Sequence, residues 1–207
     1  METVILARHG ESELSAAGLV SGDPAEPRGL TEIGRGQARR LGELLAGEPI
    51  DLCVTSEFVR VRETADLALA GRPIPRLVVP ELNDVRFGEF EGLLFDEYRV
   101  WARERDPREA PPGGESRAEV AARYVRGFRL VLERAEATIL VVAHGLPLRY
   151  TFLALEGLDP TPIVEHVPLA EPYRLSQDDL ERATARLEQW SRRPVWATSG
   201  LDRGQLG

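Results

Sequence analysis

The sequence contains no lysine, so all 26 of its basic side chains are arginine. Arginine's planar fork suits bidentate recognition of phosphate, but a total absence of lysine reads as genome-wide compositional bias, and arginine content alone says nothing about phosphate. Cysteine is nearly absent as well. The single Cys53 excludes an internal disulfide, and its apolar setting in Leu52-Cys53-Val54 points to a buried structural thiol, because reactive thiols need exposed surroundings that lower their pKa. No apolar run approaches the ~20 residues that cross a bilayer. Met1-Glu2-Thr3-Val4 reads as the start of a strand and not as a charged leader, so a cytoplasmic protein without a membrane partner is expected. An excess of positive charge is also missing: the formal net charge is −8, which disfavours non-specific binding to nucleic acid or anionic membrane. There is no internal repeat.

What is present is ordinary for a soluble globular chain, with 43% hydrophobic and 29% charged residues. A length of 207 residues fits one domain, given roughly 100–200 residues per domain. Thr3 to Ala7 is an apolar, β-branched run that ends abruptly at Arg8-His9-Gly10, the pattern of a buried strand delivering polar residues to a loop. Thr31 is placed to cap a helix with Ile33, Ala38, Leu41 and Leu45 at helical spacing, closed by Gly47. Asp51 to Thr55 predicts a second strand, Ser56 a cap, Glu57 to Leu69 a second helix, and Arg76 to Val79 a third strand. This alternation is typical of a largely parallel sheet. Residues 87–112 are aromatic and charged, then proline-rich, and read as a lid-like excursion from a single domain over 1–193. Ser116-Arg117-Ala118-Glu119 is a capping box opening a helix with Val120, Tyr124, Phe128 and Val131 on one face. Thr138 to Ala143 is the most continuous apolar strand. Val164 to Leu175 is expected to add edge strands, Ser176 to cap a last helix, and 194–207 to form a peripheral tail.

Two strands thus deliver a histidine, His9 and His144, to their carboxyl ends, where ligands gather in open α/β sheets. Arg8-His9-Gly10-Glu11 sets a permanent cation beside an imidazole. Phosphoryl transfer needs charge compensation at the equatorial oxygens and a nucleophile held in line with the leaving oxygen. A neutral imidazole attacks phosphorus when its other nitrogen donates to an acceptor that fixes the tautomer.

Leu6-Ala7-Arg8-His9-Gly10-Glu11-Ser12 resembles the signature of the histidine phosphatase superfamily, the phosphoglycerate-mutase-like enzymes. Three further segments match in the same order. Ser56-Glu57-Phe58-Val59-Arg60 through Ala65 resembles the helix carrying a second phosphate-binding arginine. Leu82-Asn83-Asp84 with Phe87-Gly88-Glu89-Phe90-Glu91-Gly92 resembles the acid/base segment, and Val142-Ala143-His144-Gly145 the second-histidine motif. Pro112-Gly113-Gly114-Glu115-Ser116 matches a common helix start of the family. The resemblance implies an α/β three-layer sandwich around a mostly parallel sheet, no metal or other cofactor, and a phosphohistidine intermediate. It makes His9 the nucleophile, places Arg8, Arg60 and His144 on the phosphoryl group, and puts Asp84, where glutamate is usual, in the acid/base role. Glu89 and Glu91 compete for that role, and Arg62 competes with Arg60, although residues two apart do not share a helix face.

Departures from the pattern bear on the substrate. Where the family often has asparagine after Glu11-Ser12, this chain has Ser15, whose hydroxyl is a candidate substitute on phosphate. Ser21-Gly22 resembles a small polar pair lining the substrate pocket, and Gly145 follows the second histidine. The adjacent arginine pair that grips a mutase substrate's carboxylate is missing, since Arg99 and Arg103 stand a helical turn apart. Hydrolysis of a small phosphomonoester by a monomer or homodimer is therefore expected. A mutase, or a phosphate-binding module without turnover, is the alternative. A metallohydrolase using His9, Asp84 and His144 is disfavoured by the flanking arginines, which would repel the ion. Phe87, Phe90, Phe95, Tyr98 and Trp101 are candidates either for core packing or for a pocket that takes an apolar body.

Overall fold

Short β-branched runs bounded by polar turns become the strands of one five-stranded sheet, and the longer runs of 3.6-residue periodicity become the helices that cover it. The structure, a computed structural model, describes residues 1–163 and 165–197. In chain order the elements are β1 (Thr3–Arg8), α1 (Glu13–Ala16), α2 (Glu32–Leu44), β2 (Leu52–Thr55), α3 (Val59–Ala68), β3 (Arg76–Val78), α4 (Phe95–Arg103), α5 (Arg117–Leu132), β4 (Thr138–Ala143), α6 (Gly145–Leu155), β5 (Pro172–Ser176) and α7 (Gln177–Arg192). The strand order is β3-β2-β4-β1-β5. All neighbours are parallel except β1 and β5, which run antiparallel.

β1 and β4 are buried on both faces and carry near-continuous apolar sequence, as parallel strands between two helical layers must. Val4, Leu6, Val54, Ile139 and Val141 face the larger core under α5, α6 and α7. Ile5, Ala7, Cys53, Leu140 and Val142 face a smaller core under α2 and α3. The three-layer α/β sandwich expected from the sequence is therefore the fold. Cys53 is wholly buried, which pushes its thiol up to about 12, far from a reactive value.

Several expectations hold in detail. Thr31 caps α2 through its hydroxyl, and Ser116 and Ser176 form capping boxes at α5 and α7. Val120, Tyr124, Phe128 and Val131 are buried on one face of α5.

Others are corrected. Ile33 is 64% exposed, because the buried face of α2 runs through Gly34, Ala38 and Leu41, and Ile33 lies one residue, about 100°, off that line. The helix ends at Leu44, before Gly47. Ser56 does not cap α3, which starts at Val59 without a side-chain cap; its hydroxyl bonds to His144 instead. The segment Val164–Leu175 yields one edge strand, β5, and Val164 itself lies outside the described residues. In the region expected to be a peripheral tail, Trp196 donates its indole N–H to the Arg105 carbonyl at 2.7 Å and packs on Trp190. The chain around it is thereby tied to the end of the excursion. Residues 198–207 of that region lie outside the described residues.

Candidate active site

The pairing register of β1 and β4 assembles the centre of the site. Arg8 stands opposite Ala143, so the next residues, His9 and His144, leave the sheet side by side at its carboxyl edge. Their ring centroids are 5.4 Å apart. β2 flanks β4 on its other side and delivers Ser56 and then α3 to the same edge.

The loop after His9 presses closely on α2. A Cβ on Gly34 would lie 2.0 Å from the Glu11 carbonyl oxygen, so a glycine there lets backbone meet backbone. The Gly10 N–H donates to Thr64 Oγ1 at 3.0 Å, tying the loop to α3 as well.

His9 is buried, and its Nδ1–H donates to the Gly10 carbonyl at 2.7 Å. That bond fixes the tautomer and leaves the Nε2 lone pair facing the cavity, where the Arg60 Nε–H approaches at 3.3 Å. Burial, reinforced by the charges of Arg60, His144 and Arg8, holds the His9 imidazole well below its ordinary pKa, so it is neutral. His144 is likewise fully buried and held low by burial first and the same two arginines next. Its Nε2 is 2.9 Å from the Ser56 hydroxyl. Its Nδ1 is 3.3 Å from both Asp84 Oδ2 and Arg60 Nη2.

Arg60 sits in the buried face of α3, whereas Arg62, about 200° around the helix, is exposed. The guanidinium rests 4.2 Å above the Phe58 ring and donates to the Ser21 hydroxyl (3.1 Å), the Ser21 carbonyl (3.0 Å) and Asp84 Oδ2 (3.2 Å). Arg8 donates from Nη1 to the Val167 carbonyl at 2.8 Å and to His166 Nδ1 at 3.0 Å. Its Nε–H is buried and unpartnered, packed beside Gly145, where a Cβ would come within 3.4 Å of it. Two guanidinium charges against one carboxylate and two neutral imidazoles leave the site positive, which suits an anion.

Arg8, His9, Ser15, Ser21, Arg60 and Asp84 line one cavity of about 380 Å³. His144 lies just behind it, through its contacts with Arg60 and Asp84. A second cavity of about 440 Å³ adjoins it, with Arg8, Asp84, Phe87, Phe95 and His166 as shared walls.

The remaining candidates separate clearly. Ser15 reaches the cavity, but its hydroxyl accepts from the Ser12 N–H and donates to the Ser12 carbonyl, both at 2.9 Å, so it is spent in the α1 cap. Gly22 lies behind the wall, where its N–H donates to Glu91 Oε2 at 2.8 Å and an added Cβ would be 1.9 Å from the Val85 carbonyl. Glu91 also accepts from the Phe87 N–H, so both its oxygens hold backbone, and Glu89 is exposed and lines neither cavity. Asp84 alone of the three acids faces the site. Of the aromatic set, Phe87 and Phe95 line the cleft, while Tyr98, Phe90 and Trp101 pack on one another behind it. Among the described residues no cluster of three His, Cys, Asp or Glu side chains is arranged to hold a metal ion. His166 belongs to the site without having carried any motif signal, and Ser56, which opens a matched segment, is expected from the sequence as a helix cap and not as a partner of His144; both act by touching another functional side chain across a long sequence separation.

The comparisons with known proteins agree with this geometry. A 2,3-bisphosphoglycerate-dependent phosphoglycerate mutase from Brucella melitensis is 35% identical over 201 residues, covering 85% of this chain and 93% of that protein. The solved structure of the alpha-ribazole phosphatase from Shigella flexneri is 30% identical with a TM-score of 0.70, covering 83% of this chain and 89% of that one. A mycobacterial glucosyl-3-phosphoglycerate phosphatase is 26% identical with a TM-score of 0.69, covering 84% and 90%. The profile described as histidine phosphatase superfamily (branch 1) matches residues 4–193. With its paired histidines at the carboxyl ends of two adjacent parallel strands, the chain belongs to the histidine phosphatase superfamily.

Proposed function

We propose that this protein is a phosphomonoesterase that hydrolyses a small phosphorylated metabolite through a phosphohistidine on His9. The observation that carries the reading is the state of His9: its Nδ1–H is committed to the Gly10 carbonyl, its Nε2 lone pair faces an arginine-lined cavity, and burial keeps it neutral. A phosphoryl dianion entering that cavity meets the guanidinium groups of Arg60 and Arg8, which both line it. His144 contacts the Ser56 hydroxyl through Nε2 and turns Nδ1 to the side of Asp84 and Arg60.

In the first half-reaction the His9 Nε2 lone pair forms a bond to phosphorus as the bond to the ester oxygen breaks. Protonated Asp84 gives its proton to the departing alkoxide. In the second, the Asp84 carboxylate takes a proton from water, the water oxygen bonds to phosphorus, and the phosphorus–nitrogen bond breaks to restore neutral His9. Asp84 thus alternates as acid and base, and the arginines supply fixed charge to the equatorial oxygens.

Hydrolysis is favoured over mutase action by the excursion. Arg99 reaches the cleft, but Arg103 lines neither cavity, so no adjacent arginine pair closes over a carboxylate. A labelled phosphomonoester quenched rapidly should leave acid-labile, base-stable label on the protein, lost in His9→Ala. With 3-phosphoglycerate and a bisphosphate primer, inorganic phosphate should appear faster than 2-phosphoglycerate. Undiminished label in His9→Ala, or isomerisation without phosphate release, would overturn the assignment.

A further inference from the structure

The second cavity is lined by a cation that the phosphoryl chemistry does not use. Arg117, the first residue of α5, is only 8% exposed, yet it lines this cavity. Among the described residues it has no ion pair, its guanidinium meets only the neutral Tyr150 hydroxyl, and its Nε is a buried donor without a partner. The Tyr98 ring lies 5.4 Å from its guanidinium carbon. The hydroxyls of Tyr124 and Tyr150 lie within electrostatic reach of it; that of Tyr124 is buried without a hydrogen-bond partner, and that of Tyr150 has none besides the guanidinium itself. Burial keeps both as neutral phenols, with Tyr150 pushed up to about 12, so none of these groups supplies a counter-charge.

The acids nearby are committed elsewhere. Asp84 is held by Arg60 and His144, Glu165 on the rim is paired with Arg149, and Glu119 is folded back into the Ser116 capping box. A cation in the first turn of a helix also opposes the helix dipole. An unpaired buried charge in that position costs stability, which is the signature of a group kept for a ligand.

We infer that Arg117 forms a second anion subsite, which receives a carboxylate or second phosphoryl group on the leaving-group side of a substrate whose reacting phosphate sits on Arg8 and Arg60. Arg99 lines the same cavity, with its charge shared with Asp96 at 3.4 Å. The inference rests on the phosphomonoester reading above and narrows it to doubly anionic small molecules. Arg117 approaches from the start of α5 and therefore differs in origin from an arginine pair on the excursion.

Equilibrium binding to the full chain carrying His9→Ala, which cannot form a phosphoenzyme, tests the subsite independently of turnover. Two matched pairs of probes are used. 3-Phosphoglycerate and glycerol 3-phosphate differ by a carboxylate; fructose 1,6-bisphosphate and fructose 6-phosphate differ by a phosphoryl group. The doubly anionic member of at least one pair should bind more tightly, and the pair that responds identifies the second group. Adding Arg117→Met should shrink that preference roughly 10- to 100-fold, the range for losing a charged hydrogen bond, and Arg117→Lys should keep part of it. Arg117→Gln carries the test should the methionine variant misfold. No preference in either pair, or a preference untouched by both Arg117→Met and Arg117→Gln, overturns the subsite. Failure of the wild-type chain to hydrolyse any phosphomonoester, with the Arg117-dependent preference intact, would sink the hydrolase reading alone.

Discussion

Asp84, the residue that the motif resemblance puts in the acid/base role, has Arg60 and His144 within 3.2 and 3.3 Å of one carboxyl oxygen. Its other oxygen accepts from the Val85 N–H, which fixes the direction of the carboxyl. An acid in this place helps a poor leaving group more than a good one, typically by about 10²–10⁴-fold. Asp84→Asn should therefore slow phosphoenzyme formation from an alkyl phosphate by roughly that factor and from nitrophenyl phosphate by far less. Single-turnover rates on the two substrates check this; equal small losses would move the role to solvent, because Glu89 and Glu91 do not face the cavity.

The element that holds Asp84 in place is α5, through one side chain. Arg123 donates to the carbonyls of Glu81, Asn83 and Asp84 and to both oxygens of Glu115, which also accepts from the Arg86 N–H. Burial works against ionisation of Glu115, but the hydrogen bonds and charge of Arg123 outweigh it and hold its carboxyl below the usual range. The acid/base loop is thereby pinned to a helix across about 40 residues of sequence. Arg123→Met would leave the buried Glu115 carboxylate with only the longer Arg86 ion pair, at 3.7 Å, and the expected cost is at most about 3 kcal/mol, read as a lowered urea midpoint. Because the loop loses its anchor, turnover of alkyl phosphates should fall with His9 still able to accept a phosphoryl group. A midpoint shift with the alkyl-to-aryl ratio unchanged would confine Arg123 to stability.

For the molecule as a whole, the two buried histidines couple stability to pH. His9 and His144 are both held well below the ordinary value near 6.5 that each has in the unfolded chain. Between that value and the lower folded one, the unfolded state binds protons that the folded state refuses. Stability is accordingly full above about pH 6.5 and is lost as pH falls, by at most about 1.4 kcal/mol per pH unit for each histidine. Urea titrations from roughly pH 8 to pH 5 should show this slope, and His9→Ala should reduce it. A flat profile with both histidines present would mean that neither is depressed.

Much of this protein is written in local chemistry. The strand at Thr138–Ala143, the caps at Thr31, Ser116 and Ser176, and the α/β alternation follow from periodicity and short-range hydrogen bonding, which depend on neighbours in sequence. His9, His144, Arg60 and Asp84 are legible in the sequence for the same reason, because each sits in a short motif whose residues are adjacent in the chain. Tertiary structure alone decides what those side chains touch. The serine expected to cap α3 bonds to His144 across 88 positions, Arg8 meets His166 across 158, and Gly22 is held by Glu91 across 69. No local pattern encodes such pairs, since their energy is realised only when the sheet order brings β1, β2 and β4 to one edge. Arg117 has the same status: in sequence it is one arginine in a capping box, and only its burial near three tyrosines on the wall of a cavity makes it a cation without a counter-charge.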